Sequence, residues 1–233
     1  ALRDVSFALG RGEVLGILGR NGAGKSTLLQ IVAGTLEPTS GTVGLRGKVA
    51  ALLELGSGFS PEFTGRENVE MAGALMGYRP AELRAQMDRI LAFADIGRYI
   101  DEPVKHYSSG MVVRLGFALV AARRPDLLIT DEVLAVGDEA FQRKCVRWIE
   151  DYLAGGGTLM LVSHSMYHVQ KLCRRALWLQ GGRVRAQGEV FEVSQQYSAW
   201  QEARQTPAAA AAMVATGDGV AQAWVNGDGD AGE

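Results

Sequence analysis

The octapeptide Gly19-Arg20-Asn21-Gly22-Ala23-Gly24-Lys25-Ser26 constrains this chain more than any other stretch. It fits G-x-x-x-x-G-K-[ST], the pattern of a loop that wraps phosphates. The apolar run Val14-Leu15-Gly16-Ile17-Leu18 precedes it and reads as a strand. Thr27-Leu28-Leu29-Gln30-Ile31-Val32 follows and reads as a helix. Glycines let backbone N–H groups turn inward around an anion where residues with a Cβ cannot. The helix N-terminus adds a partial positive charge at the same point. In this pattern Lys25 reaches the β- and γ-phosphates and the Ser26 hydroxyl holds Mg²⁺. The alternative is a glycine-rich turn that matches by coincidence, and the strand–loop–helix context weighs against it.

With 233 residues the chain can bury one substantial core and a smaller subdomain. Its 24 basic and 26 acidic residues leave a net charge of −2, which gives no support for bulk nucleic-acid binding. Residues 206–233 hold four of the acids and no Lys or Arg; the rest carries 24 basic against 22 acidic residues, a balance of +2. The two cysteines, Cys145 and Cys173, lack CxxC spacing and fit reduced thiols rather than a disulfide framework or a zinc site. No stretch approaches the length of an apolar membrane span, and no signal peptide opens the chain. The first residue is Ala1 rather than Met, which points to an incomplete N-terminus.

Residues 2–7 alternate as a strand would. Residues 67–91 carry a helical apolar period that Gly77 and Pro80 divide in two. A third helix is expected over 111–123, a buried strand at 127–131, a helix over 141–153 and a buried strand at Thr158–Val162. Two short strands joined by Gly181-Gly182 read as a hairpin, and a last helix runs from Val190 to about Arg204. From Thr206 the composition turns to Ala, Gly and Asp, and this tail is expected to be disordered.

Asp131 and Glu132 end the run Leu127-Leu128-Ile129-Thr130-Asp131-Glu132. A carboxylate at such a strand tip beside a phosphate loop suits Mg²⁺, which Asp131 is expected to bind directly or through water. Glu132 is then positioned to polarise an attacking water as general base. An acidic pair capping the next loop is the alternative. His164 follows the strand at 158–162 through Ser163 and can donate a hydrogen bond to a γ-phosphate, although a lone histidine at a strand end is more often structural. Tyr107-Ser108-Ser109-Gly110-Met111 precedes an apolar helix, and local physics alone reads it as an ordinary N-cap.

Taken in order, these motifs resemble the nucleotide-binding subunit of ABC transporters, over residues 1–200. Residues 19–26 look like the Walker A loop, 127–131 like Walker B and Glu132 like the catalytic glutamate. Residues 107–111 stand where the family carries its signature, usually LSGGQ; His164 stands at the switch histidine and Ala135-Val136-Gly137-Asp138 at the D-loop. The resemblance implies an α/β P-loop NTPase fold of the ABC-ATPase kind: a RecA-like core, an antiparallel β subdomain and a helical subdomain near 66–123. It implies ATP bound by Gly19, Asn21, Gly22, Ala23, Gly24, Lys25, Ser26 and Thr27, with Mg²⁺ on Ser26 and Asp131. Ser109 and Gly110 would act in trans from a second copy, with Asp138 of the D-loop beside them. Catalysis would fall to Glu132, His164 and Lys25.

Several departures narrow the resemblance. The signature is YSSGM, the D-loop is AVGD rather than SALD, and Glu54 or Leu55 stands near the place of the usual Q-loop glutamine. With Phe63-Thr64-Gly65-Arg66-Glu67-Asn68 and Gly137-Asp138-Glu139-Ala140-Phe141-Gln142, these look like the subgroup that exports lipid-linked O-antigen, teichoic acid and capsule. The resemblance then implies a homodimer at the cytoplasmic face of the membrane. It would drive a separate membrane permease that carries the polysaccharide lipid, with no nucleic-acid partner, and the surface from Glu54 through Phe59 into 66–105 would meet the permease. A loop upstream of the first strand that would stack on adenine, and a C-terminal carbohydrate-binding domain, have no counterpart in the sequence. A soluble ABC ATPase acting on DNA or ribosomes, a transporter of another substrate and a glycan-binding module with a degenerate ATP site are the competing readings.

Overall fold

The computed structural model describes residues 2–52, 55–56, 58–131, 138–163 and 165–205. Among them, six strands form one sheet in the order β2-β3-β4-β1-β5-β6. These are β1 (Val14–Leu18), β2 (Val49–Ala51), β3 (Leu127–Asp131), β4 (Thr158–Val162), β5 (Arg175–Gln180) and β6 (Arg183–Glu189). The helices are α1 (Lys25–Ala33), α2 (Gly65–Leu75), α3 (Pro80–Ala94), α4 (Ser109–Ala121), α5 (Glu139–Ala154), α6 (Met166–Leu172) and α7 (Val190–Gln205). Residues 1–195 make one compact unit and 196–233 a second, of which the described residues 196–205 finish α7. The sheet and the sites described below belong to the first.

Five strands run parallel and β6 pairs antiparallel with β5. Every residue of β1 and β4 is buried. A parallel strand covered on both faces needs an unbroken apolar run, which Val-Leu-Gly-Ile-Leu and Thr-Leu-Met-Leu-Val supply. On one face Leu15, Ile17, Leu177 and Leu179 pack with Leu28, Leu29 and Val32 of α1. On the other, Gly16 leaves no room for a side chain: a Cβ there would meet Val169 Cγ1 at 2.9 Å and Cys173 Sγ at 3.2 Å. The edge strand β6 alternates exposed and half-buried residues, as one covered face requires. Gly181 and Gly182, at φ +57° and +77°, make the two-residue turn before it, the left-handed pair that a tight hairpin demands.

Residues 2–7 are not a strand. The expected alternation is present in burial, with Leu2, Val5, Phe7 and Leu9 set against the apolar cluster of α1 and the sheet, but no ladder accompanies it. Arg3 N donates to Gly182 O at 2.8 Å.

Helices α2, α3 and α4 share their own core of Val69, Leu83, Met87, Ile90, Leu115 and Leu119. The expected break at Gly77 and Pro80 is present: α2 ends at Leu75, and Pro80 opens α3 as its first residue, where the missing N–H costs nothing. Helix α2 starts on a capping box: Glu67 N donates to Thr64 Oγ1 at 3.2 Å, and Thr64 N donates back to Glu67 Oε2 at 2.8 Å. Asn68 is wholly buried and holds the preceding loop. Its Oδ1 accepts from Ser60 N at 2.6 Å, and its Nδ2 donates to the carbonyls of Ser60, Phe63 and Thr64 at 3.0–3.1 Å.

Candidate active site

Parallel strands end on the same edge, so the sequence features that follow them gather there. Gly19 follows β1, Asp131 ends β3 and Ser163 follows β4. Asp131 pairs in register with Val162, and Val162 with Ile17. With neighbouring strands about 4.8 Å apart, β3 lies about 10 Å from β1. Asp131 and the loop at 19–26 thus stand at the carboxyl ends of the strands, the edge where open α/β sheets bind ligands.

The loop has the backbone of an anion cradle. Gly19, Gly22 and Gly24 sit at φ +154°, +77° and +102°. At Gly19 a Cβ would stand 2.7 Å from Leu179 O and 3.0 Å from the Ala23 Cβ. Ala23 N donates to Arg20 O at 3.1 Å, closing the turn, and Gly182 N donates to Ala23 O at 3.1 Å, bracing the loop against the β5–β6 hairpin. Gly24 begins α1 with no side-chain hydrogen bond capping it and no acid in the first turn, so the N-terminal dipole is left for an external anion. Lys25 is buried, and its Nζ donates to Gly19 O at 2.7 Å and Arg20 O at 3.1 Å. Asn21, Gly22 and Ser26 are exposed; Thr27 is half-buried on α1. This donor set fits a polyphosphate, and a serine hydroxyl with a strand-end carboxylate fits Mg²⁺, a hard cation that takes oxygen ligands.

Ser109 and Gly110 stand elsewhere. They open α4, whose N-cap is Ser108: its Oγ accepts from Met111 N at 3.2 Å. They line a cleft of about 650 Å³ whose described walls come from 95–99, 108–114 and Asp138, and not from the phosphate loop. Asp138 is the N-cap of α5, accepting from Phe141 N at 2.9 Å, and pairs with Arg114 of α4. The Phe141 amide, then Arg114, holds the Asp138 carboxyl below its ordinary range. Glu54, Glu132, His164 and residues 135–137 lie outside the described residues.

Tyr107, where the general signature has Leu, has a structural reason. Its hydroxyl donates to Tyr99 O at 2.5 Å and occupies the space beside Gly65, where a Cβ would collide with Tyr107 Oη. Phe59 is half-buried against the helical cluster, while Phe63, Leu75 and Met76 are 45%, 80% and 45% exposed.

The model of the family described as "ABC transporter" matches residues 2–135, more than half of the chain. The chain belongs to the ABC transporter family. An O-antigen export system ATP-binding protein of Klebsiella pneumoniae is 49% identical over 197 residues, covering 84% of this chain and 80% of that protein. A teichoic acids export ATP-binding protein of Bacillus cereus is 42% identical over 86% of this chain and 36% of its own length. Among solved structures, an ATP binding subunit of an ABC transporter superposes with a TM-score of 0.73 at 25% identity, covering 84% of this chain and 87% of that one. The expected ABC-ATPase fold is therefore the fold of this chain. Within this fold the loop at 19–26 and Asp131 stand at one edge of the sheet, and Ser109, Gly110 and Asp138 line a separate cleft.

The capping box at Thr64 and the Asn68 staple were not among the sequence expectations. Thr64-Gly65-Arg66-Glu67 carries the S/T-x-x-E signal that reveals the first; nothing in the sequence separates a buried Asn68 from an exposed helical amide.

Proposed function

We propose that this chain is the ATP-hydrolysing subunit of an exporter of lipid-linked cell-surface polysaccharide, working as a homodimer on the cytoplasmic face of the membrane through a separate permease. The observation that carries this reading is a glycine-rich phosphate-type loop and a strand-end aspartate at one edge of the sheet, in a chain 49% identical over 197 residues to an O-antigen export ATP-binding protein. Among the described residues no helix is long and apolar enough to cross a membrane, which fits a separate permease.

In this reading Gly19, Asn21, Gly22, Ala23 and Gly24 present N–H groups to the phosphates, and Thr27 and the first turn of α1 continue the cradle. Lys25 exchanges its contacts to Gly19 and Arg20 for the β- and γ-phosphate oxygens. Ser26 and Asp131 hold Mg²⁺, with Glu54 near the third position, and the metal supplies charge neutralisation on the transferring phosphoryl group. Glu132 takes the proton of the attacking water, and His164 donates to the γ-phosphate. Ser109 and Gly110 of a second copy close on that phosphate from the start of α4, with Asp138 beside them. The separation of that sheet edge from the cleft at Ser109 and Gly110 within one chain supports this division, because each half alone lacks the other's donors.

Substituting Glu132 by Gln tests the core of this. The variant is expected to keep ATP affinity, lose turnover by roughly 10²–10⁴-fold, and accumulate as a dimer in size-exclusion chromatography with ATP. Turnover at the wild-type rate would remove Glu132 from the mechanism. For the permease surface, Phe59→Asp would disturb packing as well as docking, since Phe59 is half-buried. Leu75→Asp is the cleaner variant: ATPase activity of the isolated protein stays within twofold (roughly, a solvent-exposed change) while polysaccharide export falls. Undiminished export would move the docking surface away from α2.

A further inference from the structure

One turn along α4 from Gly110 stands Arg114, whose side chain is 18% exposed. Its guanidinium joins three elements. One nitrogen donates to the main-chain oxygens of Ala94 and Asp95 at the end of α3, at 3.4 and 3.3 Å, with the Asp95 carboxylate 3.9 Å away. Another pairs with the Asp138 carboxylate, whose other oxygen caps α5 through Phe141 N. The guanidinium carbon lies 5.0 Å from the centre of the Phe141 ring. Lys144 of α5 then reaches back to the same end of α3, donating to Ala92 O at 3.0 Å and Phe93 O at 2.8 Å. Two cations from two helices therefore hold the carbonyl end of α3. Arg114 and Asp138 both line the cleft that Ser109 and Gly110 open onto.

A half-exposed ion pair contributes little to stability. Convergence sets this one apart. A planar fork with five donors can satisfy two carbonyls, a carboxylate and a ring face together; the single ammonium of a lysine cannot. The amide of Phe141, then Arg114, holds the Asp138 carboxyl below its ordinary range, as a hydrogen-bonded ion pair does.

We propose that the Arg114–Asp138 pair is a latch that fixes the start of α5 and the end of α3 against the first turn of α4. Arg114 is then a positioning residue for the half-site that Ser109 and Gly110 offer to the nucleotide of a second copy. The proposal rests on the in-trans reading above. It places the latch in the protomer opposite the one whose Walker loop holds the nucleotide.

Two measurements decide it. The first mixes full-length variants under Mg-ATP. Arg114→Lys is expected to lower kcat about tenfold or more, as a misplaced half-site does, with nucleotide affinity unchanged because its own phosphate loop is intact. Asp138→Asn, which keeps an α5 N-cap, should do the same. Lys25→Ala alone is inactive. Mixing Arg114→Lys with Lys25→Ala should restore activity towards about a quarter of wild type, since half of the dimers then carry one intact site of two. Differently tagged protomers report that mixed dimers form; mixed dimers without recovered activity, or a wild-type kcat for Arg114→Lys, overturn the latch. The second is a thermal-unfolding cycle of Arg114→Lys, Asp138→Asn and the double variant. Each single change should lower Tm by about 2 °C, and the double should melt no lower than the worse single. Additive losses overturn the pair. This cycle holds even if the wild-type protein hydrolyses no ATP, an outcome that would refute the proposed function instead.

Discussion

Asn68 shows how much one buried amide can organise. Its two polar atoms meet one N–H and three carbonyls of residues 60–64, the loop that leads into α2. Replacing it by Ala removes all four bonds at once. Asn68→Ala is expected to cost about 3 kcal/mol, seen as a fall in Tm of about 6–12 °C; a loss within a degree would mean that the loop is held by something else. Residue-level chemistry was readable where a side chain's role is forced by a loop's geometry. Lys25 and the glycines at 19 and 24 follow from the spacing, because a glycine-rich turn running into a helix N-terminus can fold its backbone around an anion. Asn68 was not readable, since the same residue on an exposed helix face looks identical in a string of letters. Ser108 and Ser109 were readable only as a helix cap; the role proposed for Ser109 needs the surface of a second copy, which a single chain does not carry.

At the scale of elements, periodicity located α2 to α5, the buried strand β4 and the β5–β6 hairpin, because the burial of one helical stripe or of a whole central strand leaves its mark on the apolar pattern. It failed at residues 2–7, where alternation records one buried and one exposed side but says nothing about hydrogen-bonded partners. It also missed the fit between the start of α2 and the signature. Gly65 of α2 and the Tyr107 hydroxyl occupy adjoining space, and a methyl group at position 65 would also press on Ile100 at about 3.0 Å. Gly65→Ala should therefore destabilise by about 1–3 kcal/mol, and adding Tyr107→Phe should return part of that loss. Chemical denaturation of the two variants measures this; strictly additive effects would separate the two positions.

For the whole molecule, the order β2-β3-β4-β1-β5-β6 brings segments more than a hundred residues apart to one edge of the sheet, while the cleft at Ser109 and Gly110 is lined by the segment after α3, the first turns of α4 and the N-cap of α5. A cassette with its donors split between two surfaces is expected to be nearly idle as a monomer. Turnover per protomer should rise with protein concentration until the dimer saturates; a specific activity that is flat from nanomolar to micromolar protein would mean that each chain works alone. The hairpin beneath the Walker loop carries a further consequence. Surface turns ordinarily accept inserted residues, yet the amide of Gly182 is committed to Ala23. Lengthening that bend by even one residue would slacken the phosphate cradle from behind, so an apparently dispensable corner of the surface works as a tensioning screw for nucleotide capture.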